Sequence, residues 1–167
     1  MIIRPERKSD EAAIGHVTED AFRDEDFSDK SEHLILERLR KAGALSISLV
    51  AEDDGEIVGH IAFSPVALTS GEAGWFGLGP LSVTPERQGQ GVGSRLVREG
   101  IDMLRRVNAS GCVVLGDPDF YGRFGFRHED SLTLADVPPH YFTALTLREA
   151  TPSGIVSYHP GFYGDAA

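Results

Sequence analysis

Cysteine is almost absent: Cys112 stands alone in 167 residues, so no internal disulfide can staple the chain. It lies in the apolar run Cys112-Val113-Val114-Leu115 without a basic neighbour to lower its pKa, a setting for a small buried hydrophobe rather than a nucleophile. Missing too is any apolar run long enough to span a bilayer. Met1-Ile2-Ile3-Arg4-Pro5 places charge and proline where a signal peptide needs an apolar core, so a cytoplasmic protein without membrane contact is expected. Positive charge is scarce: 16 Lys and Arg face 26 Asp and Glu, a formal net charge of −10. That balance argues against nucleic acid as a partner and favours cationic ones. His33, His128, His140 and His159 lack metal-ligand spacing, and no metal is expected.

The chain is 41% hydrophobic and has no internal repeat, low-complexity tract or linker, which predicts a single domain over residues 1–167 with a real core. Ile2-Ile3 reads as a first strand. A helix carrying Ile14, Val17, Ala21 and Phe22 follows, then an acidic aperiodic loop from Arg23 to Lys30 and a second helix through Leu34, Ile35, Leu36 and Leu39. Leu45 to Ala51 and Glu56 to Leu68 read as strands joined by the hairpin signal Asp53-Asp54-Gly55. A third strand runs from Trp75-Phe76 to Val83. Pro80 inside it has no N–H for a ladder, so a bulge or break in pairing is expected there.

Next comes Gln88-Gly89-Gln90-Gly91-Val92-Gly93-Ser94, after Arg87. Alternating glycines let the main chain turn freely and leave successive N–H groups facing one concavity. Val92, Leu96, Val97, Ile101 and Leu104 then recur at helical spacing, so this loop opens a helix whose free N–H groups and positive dipole end favour an anion. The plain alternative is a glycine turn that only joins strand to helix. Cys112 to Leu115 reads as a buried strand, and Asp117-Pro118 as the cap of a short helix from Asp119 to Phe124. Leu132 to Leu134, Leu145 to Leu147 and Ile155 to Tyr158 read as irregular strands ending in a hairpin.

The glycine stretch is not a P-loop, because no Lys-Ser or Lys-Thr follows the last glycine. It also departs from the dinucleotide fingerprint: the third glycine is one position early, and Pro85-Glu86-Arg87-Gln88 separates it from the strand. What Gln88, Gly91 and Gly93 do match is a pattern of Arg or Gln, two residues, Gly, one residue, then Gly or Ala, between a strand and a helix. This resembles the pyrophosphate loop of the GNAT family of N-acetyltransferases. The order strand, two helices, three strands, loop, long helix, strand, short helix and final strands is similar to that family over most of the chain. Gly116-Asp117 and Tyr121-Gly122-Arg123-Phe124-Gly125-Phe126 resemble its YhbS-type branch.

The resemblance implies an α/β fold of the GNAT (acyl-CoA N-acyltransferase) type, with a mixed, mostly antiparallel central sheet flanked by helices and splayed where a coenzyme enters. It implies acetyl-CoA as co-substrate and transfer of its acetyl group to a primary amine of a small molecule or protein, by direct attack in a ternary complex. N–H groups around Gln88, Gly89, Gln90, Gly91, Val92, Gly93 and Ser94 would bind the pyrophosphate. Leu81, Ser82 and Val83 would hydrogen-bond the pantetheine arm like an extra strand, and a freed N–H near Leu81 would polarise the thioester carbonyl. Tyr121 would give a proton to the departing thiolate, against the plainer role of a core aromatic between Phe120 and Phe124. No general base is assigned. Glu25, Asp26 and Glu32 read as surface or capping acids, and His60, among apolar neighbours, as a satisfied core histidine. The alternative from another class is an acyl-CoA sensor or partner-binding module that keeps the same loop. The partner set is then acetyl-CoA and an amine acceptor, with a homodimer left open.

Overall fold

The computed structural model describes residues 1–148 and 150–164. In chain order the elements are strand β1 (Ile2–Pro5), helices α1 (Glu11–Phe22) and α2 (Glu32–Lys41), strands β2 (Ile47–Asp53), β3 (Glu56–Pro65), β4 (Ala67–Leu68) and β5 (Trp75–Val83), then helix α3 (Val92–Arg106). Strand β6 (Gly111–Leu115), helix α4 (Pro118–Gly122) and strands β7 (Leu132–Leu134), β8 (Phe142–Thr146) and β9 (Gly154–Ser157) complete the fold. The central sheet runs β1-β2-β3-β5-β6-β8. Its β5–β6 pair is parallel and its other neighbours are antiparallel.

Local chemistry explains most of these boundaries. Asp54 and Gly55 both take positive φ, +50° and +79°, as a tight turn between β2 and β3 requires. Asp117 caps α4 by accepting the Asp119 N–H at 2.9 Å, with Pro118 at the first helical position. Along α3 the apolar stripe Val92, Leu96, Val97, Ile101 and Leu104 is buried against Leu49, Ile61, Phe63, Leu78, Cys112 and Val114 on one face of the sheet. The alternate residues of the strands point the other way. There Val50 and Ala62 meet Ile14 of α1 and Leu36 of α2, while Trp75 and Val113 meet Leu132 and Val156 of a second, smaller sheet.

That smaller sheet departs from the expected final hairpin. β7 and β9 pair in parallel, β4 joins β9 from the other side, and β8 instead closes the central sheet beside β6. The expected long strand from Glu56 to Leu68 accordingly divides after Pro65, and its last part serves the small sheet. Proline there has no N–H to continue the first ladder.

β5 is the strand on which the site depends. It pairs with β3 from Phe76 to Val83, but with β6 only where Trp75, Phe76, Gly77 and Leu78 face Gly111, Cys112, Val113 and Val114. Against β3 the register shifts between Ile61, opposite Leu81, and Phe63, opposite Leu78. The extra residue therefore falls at Gly79-Pro80 on β5, a bulge at the position where proline cannot donate; this peptide is cis. Past the bulge β5 and β6 part. Leu115, the last residue of β6, is 45% exposed, because it has no β5 neighbour to cover it.

Candidate active site

The segment between β5 and α3 is a cradle of main-chain donors. Gly89 and Gly91 adopt left-handed φ of +77° and +85° with open space around each, so backbone conformation rather than crowding calls for glycine there. Arg95 N–H donates to Gly91 O at 3.1 Å, which starts the α3 ladder. The N–H groups of Gly89, Gln90, Gly91, Val92, Gly93 and Ser94 donate to no protein acceptor among the described residues. The Gln88 N–H, by contrast, is taken by Pro85 O at 3.3 Å, so the free donors begin at Gly89. The first turn of α3 has no acidic side chain to oppose an anion.

Short contacts hold the cradle in place. Gln88 Nε2 donates to Val83 O at 3.0 Å, Gln90 Nε2 donates to Glu86 O at 3.1 Å, and Arg87 pairs with Asp53, which also faces the N-terminal amine at 3.4 Å. A Cβ on Gly93 would lie 3.7 Å from Val83 and from Phe120, and 3.9 Å from Leu81. The cradle thus abuts the unpaired part of β5 on one side and α4 on the other.

The parity of the β3–β5 ladder decides which groups of β5 face that gap. Thr84 N–H donates to Val58 O at 2.9 Å, so alternation makes His60–Ser82 the next bonded rung. Leu81 and Val83 then direct their N–H and C=O groups away from β3, into the fork, and Val83 O is the one that Gln88 already occupies. Ser82 spends its main chain on His60 and turns its side chain into the core, 1% exposed, with Oγ unpartnered among the described residues.

Tyr121 reaches the fork from α4. Its ring lies on Gly116, just beyond β6, where a Cβ would be 2.6 Å from Cε2, and it meets the rings of Phe120 and Phe126 edge-on at 4.9 and 5.9 Å. Burial pushes its hydroxyl pKa well up, and Cys112 and Asp117 push it further, so the phenol keeps its proton at neutral pH. Cys112 is fully buried with its thiol pKa pushed up by the same desolvation, which leaves it inert.

His60 is buried but only half satisfied. Ser48 Oγ gives its hydrogen to Glu6, so it must accept from His60 Nε2 at 2.7 Å; Nδ1 is then a bare acceptor without a partner among the described residues. Desolvation holds the imidazole down to about 4, against the smaller pull of Glu6, so it is neutral at pH 7. Two acids around the start of α2 are engaged locally: Glu32 accepts from Ser28 at 2.7 and 2.6 Å, and Asp29 accepts from the Ser31 N–H at 3.0 Å. Ser31 precedes α2 as its cap residue. Among the described residues no group of three or more His, Cys, Asp or Glu is arranged to hold a metal ion, and no helix is long and apolar enough to cross a membrane.

One aromatic takes its meaning only from the fold. Tyr158, just after β9, lays its ring on Gly77 of β5, where a Cβ would be 2.4 Å from Cε1, and its buried hydroxyl has no partner among the described residues. No local signal marks it, since its meaning lies in a contact with a distant glycine.

A donor cradle at a helix start, beside a strand edge released by a bulge and a protonated phenol across the gap, defines a class: an acyl-coenzyme A-type transferase architecture. Comparison with known proteins carries this to a family. The sequence model of the acetyltransferase (GNAT) family matches residues 12–126. The chain is 36% identical over 171 aligned residues to an uncharacterized N-acetyltransferase, YhbS, of Escherichia coli strain K12, covering 97% of this chain and 98% of that one. A GNAT acetyltransferase from Brucella melitensis, solved in complex with acetyl-CoA, superposes with a TM-score of 0.87 at 48% identity over 96% of this chain and 97% of that one. The E. coli YhbS structure, in complex with CoA, gives 0.89 at 32% identity over 99% and 93%. The protein belongs to the GNAT family of acetyltransferases, in its YhbS-like branch.

Proposed function

We propose that residues 1–167 act as one N-acetyltransferase domain that transfers acetyl from acetyl-CoA to a primary amine. The observation that carries this reading is the adjacency of two sets of free main-chain groups. The unspent N–H groups of Gly89 to Ser94 lie against the unpaired half of β5, with the Gly93 position 3.7 Å from Val83. A pyrophosphate on the first set leads a pantetheine arm onto the second, where Leu81 and Val83 offer strand-like hydrogen bonds. The relatives solved with acetyl-CoA and with CoA support the same ligand.

The chemistry follows from the residues at the fork. A neutral amine nitrogen attacks the thioester carbon in a ternary complex, the C–N bond forms and the C–S bond breaks. The Leu81 N–H stabilises the developing oxyanion, and Tyr121 gives its proton to the departing sulfur. The ammonium proton left on the nitrogen passes to solvent, and Tyr121 recovers a proton from solvent, which restores the phenol for the next turnover. The net charge of −10 favours a cationic acceptor, which it concentrates near the surface before deprotonation. Native mass spectrometry with acetyl-CoA, followed by free-thiol release across small primary amines and amine-bearing peptides, tests the reading. Binding with amine-dependent release is expected. Binding without release over the whole panel would favour a coenzyme sensor instead.

A further inference from the structure

The donor cradle has two flanks. A Cβ on Gly93 would lie 3.7 Å from Val83, on the open half of β5, and equally 3.7 Å from Phe120 of α4. A coenzyme gripped at its pyrophosphate extends both ways, so if the pantetheine arm follows β5 the adenosine end leaves past Phe120.

An aromatic and basic cluster occupies that second flank, in a chain whose net charge is −10. Phe120 and Phe124 meet edge-on with centroids 5.3 Å apart. The Arg123 guanidinium lies over Phe120 at 4.7 Å and over Phe124 at 5.7 Å, and the Arg98 guanidinium over Phe124 at 5.2 Å. Arg98 follows Ser94 by one turn of α3, on the same side of the helix. Both arginines are exposed, and neither is paired with a carboxylate among the described residues. Arg123 spends only Nε, on Phe120 O at 3.4 Å. The arginines that bracket the loop are turned elsewhere: Arg87 pairs with Asp53, and Arg95 Nη1 donates to Met1 O at 3.3 Å.

A ring beneath a guanidinium fixes its plane while leaving the N–H edge free. Two such forks around one pair of rings suit a phosphate monoester, which is close to dianionic and offers three acceptor oxygens. We propose that Arg98 and Arg123 bind the phosphate monoester on the ribose of the coenzyme's adenosine, and so distinguish CoA from dephospho-CoA, which lacks only that group. This rests on the coenzyme reading above. The pyrophosphate is common to both molecules, so the cradle alone does not tell them apart.

Calorimetric titration of the wild type with CoA and with dephospho-CoA reads the preference without any substitution. CoA should bind about 10- to 100-fold more tightly, the range for hydrogen bonds to a charged group. Arg98→Gln combined with Arg123→Gln should bring CoA down to the affinity of dephospho-CoA and leave dephospho-CoA within about twofold of the wild type. Arg98→Lys combined with Arg123→Lys is the milder variant, keeping both stems and both charges but losing the planar forks; it should lower the preference by about threefold or more. Equal binding of the two ligands by the wild type, or a preference undiminished in either variant, would overturn the assignment. So would a parallel loss of both ligands in the lysine variant. A wild type that binds neither ligand would instead bring down the coenzyme reading.

Discussion

The two halves of β5 share a sequence neighbourhood and have opposite tasks. From Trp75 to Leu78 the strand is hydrogen-bonded on both edges and covered on both faces, with Trp75 and Leu78 almost completely buried. From Leu81 to Val83 it keeps β3 but has lost β6. One residue inserted at Gly79-Pro80 separates the two. The contrast teaches that this fold opens a strand edge by withholding a partner rather than by adding specialised side chains. Residues of the closed half should therefore govern stability, and residues around the open half should govern binding and turnover.

The sharpest break of that contrast is Gly91→Glu. It places a side chain at φ +85° and a carboxylate where the proposed coenzyme reading puts the pyrophosphate. Like charges about 4 Å apart near a surface cost about 4 kcal/mol, so acetyl-CoA affinity should fall roughly 10³-fold by calorimetry. Near-wild-type binding would remove the cradle from the site.

His60 sets the next effect, on stability rather than binding. The unfolded chain protonates this imidazole near 6.5, the folded protein not until about 4. Stability is thus full above pH 6.5 and drains as pH falls toward 4, by about 3 kcal/mol at 1.36 kcal/mol per unit. Urea melts across that window should show the slope, and His60→Gln should flatten it. Asp10 adds a separate loss at lower pH: Arg4 at 2.7 Å holds its carboxyl down to about 2, so its contribution is full above 3.8 and drains away as pH falls from there through about 2.

Tyr121→Phe should cut turnover about 100-fold in a thiol-release assay, the low end for loss of a general acid, and leave acetyl-CoA affinity within about twofold. A turnover unchanged by this substitution would leave Tyr121 a packing residue. Smallest of the set, Gly111→Val in the closed half would push a Cβ to 2.4 Å from the Trp75 ring and should lower stability by about 1–3 kcal/mol in denaturant melts. The folded fraction should bind acetyl-CoA normally; a selective loss of affinity would contradict the division of β5.

Much of this was legible because its signals are local. The glycine loop, the α3 stripe, the Asp117-Pro118 cap and the break at Pro80 each rest on residues a few positions apart, and each lies where the sequence places it. What was hidden depends on parity and on distant contacts. That Ser82 belongs to the ladder while Leu81 and Val83 face the fork turns on the Thr84–Val58 bond, and a shift of one residue would reverse it. The parallel pairing of β7 with β9 was equally out of reach, because strands of three and four residues carry too little pattern to choose a partner. Tyr158 looks like any aromatic at a strand end until Gly77 is placed beneath it.

Amide hydrogen exchange with and without acetyl-CoA tests the central claim most directly. The account predicts that the coenzyme slows exchange at Leu81 and at Gly89 through Ser94, with little change at Trp75 to Leu78. Binding that protects the closed half, or leaves Gly89 to Ser94 exchanging as in the free protein, would contradict it.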